Sequence, residues 1–298
     1  MDGILNILKP KGFTSHDVVA KCRGILKTKK IGHTGTLDPA AWGVLPICIG
    51  KATKAASYLT DIDKCYQAEV ILGANTTTED ITGEIVETFP VNVTKEQIQS
   101  IVDSFIGEYI QIPPMYSAIK INGVRLYELA RKGITVERPT RVVYIYNCEI
   151  IEWINENKFK INVHCSKGTY IRTLCTDIGK KLGCGAYMGD LVRTKVGRFI
   201  LEDSITLDEL QKLEIILNKK GTEINQLYKI EELFENYPIL TVKQTANKRL
   251  YNGNFLSLED INEKLPLNKK LRIYDCNDNF IGLYNIQDDI IKPEKMFL

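Results

Sequence analysis

One carboxylate stands out by its surroundings. Asp38 lies in the run Gly32-His33-Thr34-Gly35-Thr36-Leu37-Asp38-Pro39, enclosed by glycines and a proline, in the most basic part of the chain. Up to Thr60 the sequence carries Lys9, Lys11, Lys21, Arg23, Lys27, Lys29, Lys30, Lys51 and Lys54 against only Asp2, Asp17 and Asp38. That imbalance suits a face that meets phosphate. An acid placed there repels phosphate unless it contacts something else, and a positioned carboxylate can act as nucleophile or base. Spacing alone also allows a structural reading: Asp at an N-cap with Pro at the first helical position is a common helix start, so Asp38 would merely cap a helix beginning at Pro39.

Such a loop needs elements to hold it. Ser15 to Lys27 reads as an amphipathic helix with Val18, Val19 and Cys22 on its apolar stripe, and Thr14 or Ser15 as its cap. From Ile31 to Gly50 the repeated Gly and Pro interrupt both periods and predict a specific folded loop. Lys54 to Leu59 reads as helix, Lys64 to Leu72 alternates as a strand, and Lys95 to Phe105 is helical after Thr94. Between Gln111 and Arg141, Pro113, Pro114, Asn122-Gly123 and Pro139 surround a short helical piece and many basic residues, which predicts an excursion from the scaffold. Strands at Val142 to Glu152 and Phe159 to Cys165, a helix from Ile171 to Leu182, and helices at Leu207 to Leu217 and Ile224 to Phe234 follow. Beyond a boundary near Phe234 to Pro238, short strands are expected near Ile239 to Val242, Lys270 to Asp275 and Phe280 to Ile286.

Composition narrows the class. At 298 residues, 44% apolar and 26% charged, the chain suits a large globular domain with a small partner. Its start lacks the long apolar core of a secretory signal, and no stretch suits a membrane span, so a cytoplasmic location is expected. The eight cysteines are scattered without a CxxC pair, and His16, His33 and His164 show no zinc-ligand spacing; reduced thiols and no metal are expected. Gly43 to Ala52 is not a nucleotide-binding loop, because the spacing is wrong and Ala52 lacks the hydroxyl that would bind Mg²⁺.

The run GHTGTLDPAAWGVLPICIGKATK closely resembles the catalytic motif of the bacterial pseudouridine synthase B family, whose members modify uridine-55 of tRNA. The resemblance continues through LNILKPKGFTSHDVV, KCY, PPMYSAIKINGVRLYELARKG and GTYIRTLCTDIGKKLGCGAYMGDLVRTKVG, in family order over most of residues 1 to 200. It implies an α+β fold, with a catalytic domain on a largely antiparallel sheet over residues 1–234, an RNA-gripping insertion at about 111–141, and a small PUA-like β domain over 235–298. It implies Asp38 as the catalytic carboxylate, Arg172 as its arginine partner, and Tyr66 as the tyrosine that stacks on the target base and is a candidate for moving the C5 proton. His33, Tyr170 and Leu191 match further substrate-contacting positions. The implied partner is the TΨC stem-loop of tRNA; no cofactor and no obligate protein partner are implied. Val192 departs from the family, which often has Arg there, and puts a phosphate contact in doubt.

Without the motifs, Tyr66, Tyr170 and Leu191 read equally as core residues, His33 as a loop histidine and Arg172 as a surface cation. The rival function is a tRNA-binding or RNA-chaperone protein without catalysis. Such a binder needs the basic face and the aromatics but not an acid at their centre, so Asp38 separates the two.

Overall fold

The computed structural model describes residues 1–220, 226–262, 269–287 and 290–298. The first half of the chain supplies β1 (Gly3–Lys9), α1 (Ser15–Leu26), β2 (Ile31–His33), β3 (Trp42–Ile49), β4 (Lys64–Leu72), α2 (Lys95–Asp103) and β5 (Gly107–Gln111). After the excursion and its short helix α3 (Leu126–Ala130) come β6 (Arg141–Asn155), β7 (Lys158–Cys165), α4 (Ile171–Leu182), β8 (Ala186–Val196), β9 (Phe199–Ile200), α5 (Leu207–Lys220) and β10 (Leu227–Tyr228). The strands form one ten-stranded sheet, ordered β10-β1-β3-β8-β4-β7-β6-β5, with β2 added on β3 and β9 on β8. A separate four-stranded sheet, β11 (Ile239–Thr241), β12 (Lys270–Tyr274), β13 (Phe280–Gln287) and β14 (Ile290–Met296), completes an α+β fold.

Local sequence explains the main elements. Thr14 caps α1 through a capping box with Asp17, and Thr94 caps α2 through one with Gln97. Along β4 the pattern alternates strictly between buried and half-buried residues, as a strand with one face on the core requires. Tyr66, Ala68, Val70 and Leu72 point to the side covered by α2 and α4, where they meet Ile145, Ile161, Val163, Leu174 and Ile178. In the other half of the sheet, Leu5, Ile7, Leu45, Ile47 and Ile49 pack on Val18, Val19 and Cys22 of α1 and Leu210 of α5.

Two expectations need correction. Residues 31–50 are not wholly loop: β2 and β3 lie inside the sheet, and β3 is buried along nearly its whole length. Pro46 is accommodated because the β2–β3 ladder ends at His33↔Ile47, one residue before it, where no further donor is required on that side. Gly43 is required rather than disruptive, since a Cβ there would lie 2.3 Å from the carbonyl oxygen of Arg193. The helix expected over 224–234 is instead the short strand β10 and a 3₁₀ turn at Ile230–Phe234; residues 224 and 225 lie outside the described residues.

The opposite face of β1 and β3 joins the two sheets. Ile4, Val44, Cys48, Ala52, Ala55 and Leu59 share one apolar cluster with Phe234, Leu283 and Phe297. Phe297 packs 5.9 Å from Phe234 and 5.5 Å from Phe280, centroid to centroid. Truncating this buried ring empties a site shared by both sheets. Phe297→Ala is therefore expected to cost about 3 to 5 kcal/mol of unfolding free energy in denaturant titration, and a cost below about 1 kcal/mol would show that the two sheets do not depend on one core.

Candidate active site

Between β2 and β3 the chain leaves regular structure, and side chains rather than a ladder satisfy much of the loop's backbone. Lys9, at the end of β1 and fully buried, donates its ammonium to the carbonyls of Ala41 (2.6 Å), Pro10 (3.1 Å) and Pro39 (3.4 Å). Burial pulls Lys9 down to about 8, while the nearby Asp38 charge works in the opposite direction. Arg193 of β8, 1% exposed, donates to the carbonyls of Val44 (2.8 Å), Gly35 (3.2 Å) and Thr36 (3.4 Å). The Ser15 hydroxyl accepts from Leu37 N–H at 2.9 Å. Asp38 to Ala41 form a turn, closed by Ala41 N–H donating to the Asp38 carbonyl at 3.1 Å. No helix starts at Pro39, so the capping role for Asp38 is overturned.

The Asp38 carboxylate instead meets Arg172, which the second position of α4 aims at it. Nε lies 3.0 Å from Oδ2 and Nη2 3.4 Å from Oδ1, a two-pronged contact that fixes the carboxylate plane. The guanidinium is itself pinned: Nη2 donates to the Tyr116 carbonyl at 2.8 Å, Nη1 to the Thr78 carbonyl at 3.2 Å, and Nη1 stands 3.8 Å from Asp80. Asp80 is buried, and its Oδ1 accepts from the Thr78 hydroxyl (2.7 Å), the Thr82 hydroxyl (2.5 Å) and the Thr82 N–H (2.9 Å). Arg172 is 6% exposed but the Asp38 side chain is 38% exposed, so the acid remains reachable while its partner does not. Loss of solvent pushes the Asp38 carboxyl above the usual carboxylate range; Arg172 opposes that shift, Asp80 adds to it as a like charge, and Lys9 opposes it.

Tyr66 and Leu191 lie on adjacent strands in the cluster that also holds Leu37, the neighbour of Asp38. Tyr66 is 8% exposed, and its phenol is pushed up to about 12, chiefly by burial, with Arg193 pulling it down. His33 ends β2, and its Nδ1 accepts from Gly35 N–H at 3.3 Å; burial, then Arg193 and His16, hold it below its ordinary value. Tyr170 precedes α4. The buried Gln111 amide brackets its backbone, accepting from Tyr170 N–H at 2.8 Å and donating to its carbonyl at 2.9 Å. The Arg141 guanidinium lies over the Tyr170 ring, 5.6 Å from the centroid. Both ends of the basic excursion thus close on Tyr170, and its Tyr116 carbonyl reaches the Asp38–Arg172 pair. Among the described residues, no group of three or more His, Cys, Asp or Glu is placed to hold a metal.

The family model described as TruB family pseudouridylate synthase (N terminal domain) matches residues 23–171, and that described as tRNA pseudouridylate synthase B C-terminal domain matches 172–233. The tRNA pseudouridine synthase B of Clostridium acetobutylicum is 45% identical over 296 residues, covering 99% of each chain. The chain belongs to the TruB family of pseudouridylate synthases. Another TruB-family relative, the tRNA pseudouridine synthase B of Alkaliphilus oremlandii, is 48% identical over 97% of this chain and 94% of its own. Among solved structures, a Cbf5-Nop10-Gar1 complex contains a chain that superposes with a TM-score of 0.75 at 29% identity, over 99% of this chain and 85% of that one.

Four participants in this TruB-family site escape the sequence reading. Lys9, counted there with the phosphate-facing cations, is buried in the loop's carbonyls. Asp80, one acid among several between Glu79 and Glu87, is the buried neighbour of Arg172. Arg193, beside the departure at Val192, turns inward to Gly35 and Thr36 rather than out to phosphate, and Ser15, read as a possible helix cap, holds Leu37. The only sequence signal for Lys9 and Arg193 was their place inside the matching motifs. The Asp38 environment sets a testable pH signature: a reaction that used the ionised carboxylate would lose kcat/KM at low pH as it took up a proton. Asp80→Asn removes a like charge and is expected to move that acid limb to lower pH. Arg172→Gln removes an opposite charge and is expected to move it to higher pH. A limb that stays fixed in both variants would show that Asp38 is not the group titrating.

Proposed function

We propose that this protein converts uridine-55 in the TΨC loop of tRNA to pseudouridine, with Asp38 as the catalytic carboxylate. The observation that carries the reading is the half-buried Asp38 carboxylate, held in one plane by a buried arginine and carried next to Leu37, which packs with Tyr66 and Leu191. A binding protein has no use for an oriented, partly desolvated acid inside a basic face, which argues against the catalytically silent RNA-binding reading. The names of the relatives supply the substrate class, tRNA.

In this reading the target nucleotide leaves its stack and meets Asp38 at the Thr34–Ala41 loop. Tyr66 and Leu191 replace part of the lost stacking, about 1 to 3 kcal/mol for an aromatic platform. His33 and Tyr170 contact the flipped nucleotide and its neighbours. Asp38 acts on the ribosyl unit as nucleophile or base, the N1–C1′ bond breaks, the uracil turns, and a C5–C1′ bond forms. The reaction involves no net oxidation or reduction and is assigned no cofactor. Residues 1–234 form the catalytic domain, the 111–141 insertion grips the stem, and residues 235–298 serve as a PUA-like module toward the acceptor end. The site of action is the cytoplasm.

Asp38→Asn tests the assignment. The amide keeps the shape but is neither nucleophile nor useful base, so pseudouridine yield, mapped by mass in a tRNA transcript, is expected to fall below detection. Thermal unfolding should stay close to wild type, and RNA affinity at fixed salt should hold or rise, since one negative charge facing phosphate is gone. Near-normal yield would remove Asp38 from the mechanism. Absence of product with the wild-type protein would favour the binding-only function.

A further inference from the structure

Arg193 is a buried cation of an unusual kind. It is 1% exposed, and among the described residues it makes no ion pair; its donors go to the carbonyls of Val44, Gly35 and Thr36. A guanidinium taken out of water normally requires a carboxylate, because carbonyl dipoles replace only part of its hydration. Arg172 has two such acids, Asp38 and Asp80. Arg193 faces Tyr66 instead: the two residues are cross-strand partners on β8 and β4, and the guanidinium charge favours the ionised form of the phenol. Tyr66 is also buried. The other ionisable groups around the phenol are the Asp38 carboxyl and the Cys165 thiol, while Lys9, Lys64 and His33 surround the guanidinium.

We propose that Arg193 is a positioning residue for the proton-transfer step, its buried guanidinium stabilising the phenolate of Tyr66 that removes the C5 proton. The inference rests on the pseudouridine-forming reading above. Once the uracil has rejoined ribose through C5, that carbon carries both the new bond and its original hydrogen. The Tyr66 phenol first gives its proton to solvent. The phenolate oxygen then takes the hydrogen from C5, the C5–H electron pair returns to the ring as a double bond, and N1, released from ribose, takes a proton from solvent. Tyr66 ends as the phenol from which it began, and no oxidant or reductant takes part. Arg193 lowers the cost of the anionic form in a place where burial alone would make it inaccessible.

The test is turnover of a TΨC stem-loop carrying either ordinary or C5-deuterated uridine, by wild type, Arg193→Gln and Arg193→Lys. The Gln variant is expected to lose about 10²-fold in rate, as loss of effective general-base catalysis does. It is also expected to show a larger deuterium effect than wild type, because breaking C5–H becomes limiting. The Lys variant, which keeps a cation against the phenol, should recover most of the rate and return the deuterium effect toward the wild-type value. A merely structural Arg193 would slow glycosidic cleavage by displacing Gly35 and Thr36, leaving the deuterium effect unchanged or smaller. An unchanged or smaller effect in Gln would overturn the proposal, and so would a Lys variant with the full Gln defect. If unfolding measurements show that Gln does not fold, Lys decides alone: a wild-type deuterium effect supports the proposal, and a raised one overturns it. Failure of the pseudouridine reading itself would appear differently, as absence of product from the wild-type protein.

Discussion

The site depends on an irregular loop whose carbonyls must find donors without help from a helix or a sheet. Over Thr34–Ala41 those donors are largely side chains reaching in from β1 and β8, with a backbone contact from Gly12. Cationic donors make stronger hydrogen bonds than neutral ones, and each binds more than one carbonyl. A loop tied at so many points through buried groups can present Asp38 in one orientation, which catalysis by a positioned carboxylate requires. Loop closure here is therefore an electrostatic matter before it is a packing one.

The same requirement explains the architecture of the sheet. β3 and β8 pair in parallel over only Val192↔Trp42 and Arg193↔Gly43, whereas the pairings on either side are antiparallel. That short contact lies where the loop emerges, and Gly43 lets the two backbones approach closely enough for Arg193 to reach it. α4 carries Arg172 one residue after its start, so the helix delivers an arginine to the Asp38 carboxylate while β8 delivers one to the carbonyls of Gly35 and Thr36 in the same loop. The excursion shares the arrangement, since Tyr116 lends Arg172 a carbonyl and Gln111 clamps the residue before α4.

Much of this scaffold was legible from pattern alone. Strand Lys64–Leu72 and helix Ile171–Leu182 fall where periodicity puts them, because each has one face on a core and one toward solvent. β3 was hidden because a strand buried on both faces has no alternation to read, and its Gly43 and Pro46 serve local purposes that resemble breakers in one dimension. The cations show the deeper limit. Lys9 and Lys11 are two residues apart in a basic stretch, yet the first is fully buried among carbonyls and the second makes an exposed ion pair with Asp190. Only the fold separates them, since the sign of a charge says nothing about which side of a strand end it will face.

The balance of buried charge follows from these placements. Lys9, Lys64, Arg172 and Arg193 are buried around the site, with Asp38, Asp80 and Glu79 as the acids near Arg172 and Asp63 and Asp61 near Lys64. Burial draws Lys9 and Lys64 down to about 8. The guanidinium groups stay charged, and the cost of keeping them so in a dry place is borne by the folded state. A buried guanidinium held only by carbonyls, as Arg193 is, is better matched to a site in which an anion is present or forming. The proposed reaction would generate such anions, the detached uracil and the phenolate. Preorganised cations are worth more there than in water, and they require no reorganisation when the charge appears. In the proposed reaction, the arrangement that makes the loop expensive to fold would thus be the one that lowers the energy of the charged intermediates.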